Sequence, residues 1–308
     1  MKKYIFKRII QSLVCLFFVT IIVFALTHLS GDPVMLMVPP EATPDEIEAM
    51  RVSLGLKEPL HVQYWRFISR AAVGDFGKSL RWNMRCMDLF IDRFPATLLL
   101  STTAMILSIL VGIPIGIVGA VKNGKWFDTL GKFFALLGQA MPVFWLGIML
   151  MMFFAVQLKV LPTSGMGTWK HLIMPSVTLG WIFSASLTRM TRSAMLDVLD
   201  SDYIKMARTV GVPWNMIILK QALKNAFIPI LTIMALNFVI LLNGIVIAEL
   251  VFNWPGVGRL VVDSIFTRDY PVVQMCVLIA SSLFVFTNLF VDILYAYIDP
   301  RIRYGPTS

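Results

Sequence analysis

The chain has 308 residues, of which 57% are hydrophobic and 15% charged, with a formal net charge of +9. Soluble domains average roughly 45–50% apolar and about 25% charged residues, so these values and a mean hydropathy of +0.77 exclude an ordinary soluble domain. Three cysteines, Cys15, Cys86 and Cys276, show no metal-ligand spacing, and their odd number argues against a disulfide framework.

The apolar excess falls in six charge-free blocks: 9–31, 94–121, 133–158, 171–188, 225–248 and 270–291. Each is long enough for the roughly 18–20 residues that cross a bilayer core. Backbone groups inside a bilayer have no water to pair with, so such blocks must be helical. The expected fold is therefore all-α and polytopic, with six transmembrane helices and a large extracytoplasmic loop between the first two. The segments are 1–28 (amino-terminal segment and first helix), 29–94 (outer loop), 95–297 (helices two to six) and 298–308 (cytoplasmic tail).

The first helix follows Lys2, Lys3, Lys7 and Arg8. Its apolar run exceeds a typical signal-peptide core of about 7–15 residues and no small-residue cleavage site follows, so it reads as retained. The turn Gly31-Asp32-Pro33 ends it. Within the outer loop, 44–56 and 59–72 read as two short amphipathic helices. Helices two and three are joined by a basic turn at 122–132, and Gly112, Gly116 and Ala120 give helix two a face small enough for close helix contact. Pro114, Pro142, Pro175 and Pro229 interrupt the spans and invite kinks. The stretch 249–271 is too broken by Pro255, Gly256 and Gly258 to span. It is expected to fold over or dip into the outer mouth as a re-entrant turn shaped by Trp254, Pro255, Gly256 and Gly258.

Basic residues decide the orientation. Lys122, Lys125 and Lys132, then Arg189, Arg192, Lys205, Arg208, Lys220 and Lys224, then Arg301 and Arg303 lie on the same side as the basic amino terminus. The short segments opposite carry only Lys159, Lys170, Arg259 and Arg268. The positive-inside rule puts both termini in the cytoplasm.

The cytoplasmic segment 191–226 is unusually structured for a loop. Asp200 or Ser201 is placed to cap a helix, with Asp202 in its first turn. Tyr203, Met206, Ala207 and Val210 follow at helical spacing as one apolar face, with Lys205 and Arg208 off it. Gly211 ends the helix and Pro213 opens the next. A short helix with one apolar face must rest on lipid, on its own bundle, or in a partner's groove.

This stretch resembles the cytoplasmic coupling loop of binding-protein-dependent ABC importer permeases. The general motif keeps only the alanine of its triplet, at Ala207, and its glycine, at Gly211. The peptide and nickel permeases' version, D-Y-I-x-x-A-R-x-x-G, reads through Asp202, Tyr203, Ile204, Ala207, Arg208 and Gly211. Similar stretches cover almost the whole chain: GDP at 31–33, LGLKEPL at 54–60, GDFGKSL at 74–80, FPATLLLS at 94–101, MPVFW at 141–145, LPTSG at 161–165, FNWPGVGRL at 252–260, RDYPVVQ at 268–274 and DPRIRY at 299–304.

The resemblance implies a permease subunit in the bacterial inner membrane, forming half of a path for di- or oligopeptides. Nickel or a metal chelate is the runner-up cargo and glutathione the third; an ion-coupled carrier acting alone is the alternative class. It also implies a second homologous permease, two cytoplasmic ATP-binding subunits and an extracytoplasmic solute-binding protein, with residues 202–211 seated in an ATPase cleft. Hydrolysis would then belong to those ATPases, and this chain would need neither catalytic residues nor a cofactor.

Gly77-Lys78-Ser79 imitates a phosphate-binding loop, but that pattern needs glycine at position 72, which is Ala72. His28, His61 and His171 are scattered and form no ligand set. Polar residues inside spans are costly to desolvate, so Gln139, Ser184, Asn237 and Asn243 are candidates for the solute path, against helix–helix hydrogen bonding as the plainer role. Asn288 and Asp292 are weaker candidates, Asp292 as a partner of Arg301 or Arg303.

The topology has a direct check. Single cysteines introduced within 35–90 should react with an impermeant thiol reagent in sealed cells, whereas a cysteine at position 205 should not; labelling there would overturn the orientation.

Overall fold

The computed structural model describes residues 2–29, 34, 43–53 and 55–298; the side chains of 2–4, 26–29, 53, 243, 244 and 294–298 lie outside that description. The motifs at 31–33 and 299–304 and the tail therefore lie outside it as well.

Helix α1 covers Lys2–Leu29, followed by α2 (Pro44–Ser53) and α3 (Leu60–Ala72), so both short helices expected in the outer loop form. Glu46 accepts the Thr43 backbone N–H at 2.8 Å, and this amino-terminal bond holds its carboxyl below the ordinary range. Helix α4 spans Cys86–Val121, α5 Trp126–Ala140, and α6 Val143–Leu150, which runs on as a π-helical turn, Met151–Gln157. Then come α7 (Trp169–Leu199), α8 (Asp202–Thr209), α9 (Trp214–Met216) with a second π-helical turn Ile217–Ala222, and α10 (Leu223–Gly244). Helices α11 (Val246–Val251), α12 (Val257–Phe266) and α13 (Tyr270–Ile298) close the chain.

Among the described residues, four helices are long and apolar enough to cross a bilayer: Ile5–Ala25, Cys86–Val121, Trp214–Leu242 and Tyr270–Ile293. The block expected as one helix over 133–158 is instead α5 and α6 joined at 103°, a fifth span when the pair is counted together. Pro142 supplies no N–H and pushes Met141 into extended backbone at ψ 126°, so the helix stops there rather than kinking. The remaining block, 171–188, lies in α7. Its run of hydroxyl residues thins its apolarity, and Ser176, Thr178, Ser184 and Thr188 are all buried.

The chain divides into two compact units, one built from Ala96–Pro255 with the end of α13 from Phe290, the other from Lys2–Pro95 with Gly256–Leu289. In the first, α7 is the axis and packs on α5, α6 and α10. Its contact with α4 is made by backbone approach. A Cβ at Gly112 would lie 2.7 Å from the Ser184 carbonyl oxygen, one at Gly116 would lie 2.6 Å from Thr191 Cβ, and Gly180 faces Leu107. Hydroxyls bridge the same seam, with Ser108 Oγ donating to the Gly180 carbonyl at 3.1 Å and Thr188 Oγ1 to that of Gly112 at 3.3 Å. The small face expected on the second span is thus the α4–α7 interface.

In the second unit α1 carries α3. Thr20 and Tyr64 share a hydroxyl hydrogen bond at 2.9 Å, and Phe24 packs edge-on to Tyr64 at 5.4 Å. A buried cluster of Cys86, Leu89, Leu260, Val272, Met275 and Cys276 forms its core, and all three cysteines are free thiols.

Replacing Gly116 with leucine should overpack the α4–α7 seam and cost about 1–3 kcal/mol. The thermal unfolding midpoint of the purified chain in detergent should fall accordingly. Gly124→Asn, at a left-handed position with nothing within 4 Å of a Cβ, should leave it near wild type.

Candidate functional site

The segment after α7 is built as a rigid bracket. Ser201 takes the amino-terminal cap position of α8 in extended backbone (φ −68°, ψ 150°). Its hydroxyl turns back to the Val198 carbonyl at 2.5 Å, and Asp200 pairs with Lys205 Nζ at 3.1 Å, so neither expected side-chain cap is made. The other end forms as expected. Gly211 has φ +86°, its N–H donates to the Arg208 carbonyl at 3.0 Å, and the Val212 N–H reaches the Ala207 carbonyl at 3.1 Å. These are the two bonds of a Schellman termination, whose left-handed residue suits glycine. Across the turn the Arg208 guanidinium sits 4.0 Å from the Trp214 ring centroid.

The apolar face of α8 divides in two. Ile204, which lies off the expected face, is fully buried in a cluster with Met195, Ile217, Ala222 and Ile230, and half-buried Ala207 packs on it. Met206 and Val210 point outward at 68% and 74% exposure. Exposed Tyr203 accepts a hydrogen bond from Asn225 Nδ2 at 2.8 Å through its hydroxyl. Residues three or four apart share a helix stripe, so 204 and 207 form one and 206 and 210 the other. The apolar pattern alone is compatible with either stripe facing inward; the bundle selects the first.

A charged knot lies close to this bracket. Asp128, with no exposed side-chain surface, accepts Arg192 Nε at 2.5 Å and Nη2 at 3.0 Å, pairs with Lys132 Nζ at 2.9 Å, and accepts the Gly124 N–H at 3.1 Å. Arg192 also donates to Asn123 Oδ1 at 2.9 Å. Counting basic residues made 122–132 a turn, whereas only 122–125 lie between α4 and α5, and it gave Asp128 no role. Its signal was an acid in the first turn of a helix surrounded by lysines.

In the segment 249–271, Trp254 is almost fully buried, and its indole Nε1–H donates to the Ala96 carbonyl at 2.9 Å. Nearby, Thr97 Oγ1 donates to the buried Glu249 carboxylate at 2.6 Å, an acid that the pattern of apolar blocks leaves without a role. Gly256 is extended (φ −99°, ψ −176°) ahead of α12, and Gly258 lies in that helix's first turn; the left-handed residue of the turn is Asn253, at φ 51°. The Phe252 carbonyl accepts the Gly165 N–H at 2.8 Å, joining the 161–165 and 252–260 motifs. In the second unit the imitation phosphate loop is spent structurally, because Ser79 Oγ donates to buried Asp269 at 2.5 Å.

Of the four candidate path residues, three have described side chains. Gln139 Oε1 accepts Arg189 Nη1 at 2.8 Å, and Ser184, buried, donates to the Trp181 carbonyl at 2.7 Å. Asn237 is buried on α10 with Nδ2 lacking a partner among the described residues, and the Asn243 side chain lies outside them.

The sequence was compared with known families and structures. Residues 112–304 match the family model for the inner membrane component of binding-protein-dependent transport systems, and residues 1–101 match the model for the amino-terminal part of such membrane components. The chain is 46% identical over 305 residues to the glutathione transport system permease protein of Salmonella paratyphi A, covering 99% of this chain and 100% of that one. It is 44% identical, with the same coverage, to the protein of that name in Escherichia coli (strain K12). Its fold is similar to an inward-facing MetNI methionine ABC transporter structure (TM-score 0.58, 17% identity, 69% of this chain and 97% of that one). It is also similar to an amino acid ABC transporter solved with histidines (TM-score 0.52, 18% identity, 70% and 94%).

The two stripes of α8 should separate in stability measurements. Ile204→Ala should cost about 2–5 kcal/mol, as a buried aliphatic truncation does, while Met206→Ala should leave unfolding of the purified chain unchanged. Equal losses in both would refute the assignment of faces.

Proposed function

We infer that this chain, which belongs to the family of inner-membrane components of binding-protein-dependent transport systems and is a multi-pass permease subunit of an ABC importer, drives its cycle through α8. The carrying observation is the helix's double character. Ile204 and Ala207 fix it to the chain's own bundle, while Met206 and Val210 offer an uncovered apolar stripe beyond it. A surface that is both rigidly held and unpartnered transmits a partner's movement rather than absorbing it. Residues 202–211 are the coupling helix, seated in the cleft of one of two cytoplasmic ATPases, with Tyr203, Met206 and Val210 at the contact and Lys205 and Arg208 at its edge. Gly211 fixes the exit.

Around this helix the assembly comprises a second homologous permease, two ATP-binding subunits that hydrolyse the nucleotide, and an extracytoplasmic binding protein. Six helices cross the membrane, the sixth being α7, which is shielded by its neighbours and so tolerates its hydroxyls. Both termini face the cytoplasm, and the segment carrying α2 and α3 lies outside. The outer turn from Trp254 to Gly258 closes the mouth, anchored by the Trp254 indole on Ala96. Gln139 bonds α5 to α7 through Arg189, Ser184 bonds back to its own helix, and Asn237, whose Nδ2 has no partner among the described residues, is kept as the solute-path candidate. The cargo is a short peptide of the glutathione type. This reading extends to the present chain the solute named for its 44–46% identical relatives, and it narrows the broader di- and oligopeptide expectation.

The importer assembled with its partners in proteoliposomes should accumulate labelled glutathione only with ATP and binding protein. Met206→Asp and Val210→Asp should insert and fold normally yet abolish accumulation, because a charge facing an apolar cleft is desolvated without a partner. Uptake of dipeptides in place of glutathione would reassign the cargo. Wild-type uptake by both variants would remove α8 from the mechanism.

A further inference from the structure

We propose that a cavity of about 240 Å³ in the second unit, beneath α3, is a binding site for a short zwitterionic peptide, taking its terminal carboxylate at Arg70 and its terminal ammonium at Asp75. The proposal rests on the importer reading for its biological meaning but on the cavity alone for its chemistry.

The cavity is built rather than incidental. Its floor is aromatic, with Phe24 of α1 and Phe67 of α3 at 6.1 Å between ring centroids and Phe76 alongside. Gln63 Nε2 donates to the carbonyls of Leu56 at 3.0 Å and Glu58 at 2.7 Å, which pins the turn before α3 against the cavity wall. Gly55 stands in the left-handed region at φ +70°, and any Cβ there would collide with the guanidinium of Arg66. Arg66 itself is neutralised by Glu58, with Nη2 at 2.6 Å and 2.5 Å from the two carboxylate oxygens.

What remains uncommitted in the lining is one charge of each sign. The Arg70 side chain lines the cavity and has no ion-pair or hydrogen-bond partner among the described residues. Asp75 accepts the Gly77 N–H at 3.1 Å through Oδ1, and its other oxygen has no partner among the described residues. The Asp75 N–H is bonded to the Arg70 carbonyl at 2.9 Å, so the turn at Gly74 fixes the two backbones close together without pairing the side chains. Guanidinium groups bind carboxylates with directional, charge-assisted hydrogen bonds, and a carboxylate beside an aromatic floor suits an ammonium group. A dipeptide with both termini free satisfies both. A lone carboxylate, such as an acidic side chain of a docking protein, would meet Arg70 but be repelled by Asp75.

The volume is below the roughly 300–1,000 Å³ of pockets that enclose a whole drug-sized ligand. It suits a smaller solute, of dipeptide size.

The test uses the assembled importer in nanodiscs without binding protein, probed by saturation-transfer NMR with glycylglycine, N-acetylglycylglycine and glycylglycine amide. Glycylglycine should bind, and either blocked analogue should bind about tenfold more weakly or worse, as loss of one charge-assisted hydrogen bond implies. Arg70→Gln and Asp75→Asn should weaken glycylglycine by a similar factor. Equal binding by wild type and both variants, or by free and blocked peptides, would overturn the site. So would variants that bind glycylglycine normally but no longer dock the binding protein, which would make the cavity a protein contact. Wild-type uptake, measured in parallel with glutathione, separates the two readings: no uptake with intact glycylglycine binding defeats the importer cargo and leaves the site standing.

Discussion

In a bilayer an apolar side chain gains little by leaving lipid for a neighbouring helix, so helices associate through close van der Waals packing and hydrogen bonds between them. The α4–α7 seam satisfies both conditions. Gly112, Gly116 and Gly180 leave no room for a Cβ, and the approach they allow brings Ser108 and Thr188 hydroxyls to carbonyls of the facing helix. Those hydroxyls are buried against protein instead of lipid, which is why α7 combines a central position with modest apolarity. Lose the glycines and the hydroxyls lose their partners, so the two contributions stand or fall together.

The position of α7 in turn fixes the bracket at its carboxyl-terminal end. Arg192 ties that end to Asn123 of the α4–α5 turn and to Asp128 in the first turn of α5, and Met195 packs in the same cluster as Ile204 and Ile217. Helix α8 is too short to persist alone in water. It holds its shape because one stripe is buried, its end is closed by a Schellman pair, and Arg208 stacks on Trp214. The outward stripe of Met206 and Val210 is consequently presented on a stiff support, which is the mechanical requirement for transmitting motion into the membrane helices.

Several stretches distant in the sequence turn out to be halves of single interactions. Ser79 of the GDFGKSL stretch is the partner of Asp269 in RDYPVVQ, and Gly165 of LPTSG bonds the Phe252 carbonyl of FNWPGVGRL. Thr97 of FPATLLLS meets Glu249, a carboxylate buried within an otherwise apolar stretch. Burying a charge is tolerated only with partners, and in each case the partner comes from a segment many residues away.

The sequence by itself determined the elements. Charge-free blocks located the apolar helices, 44–56 and 59–72 marked α2 and α3, and Gly211 marked the end of α8, because these depend on local periodicity, hydration and backbone freedom. It also foresaw the small face of α4, since glycine spacing is visible in one dimension. Only the tertiary structure decided which stripe of α8 is buried, that Pro142 breaks a span instead of bending it, and that Asp128, Glu249 and Asp269 are paired. The apolar spacing around α8 fits two faces equally well, and a buried carboxylate is explained only by the group opposite it. Pairing is a property of distance in space, which neither composition nor periodicity encodes.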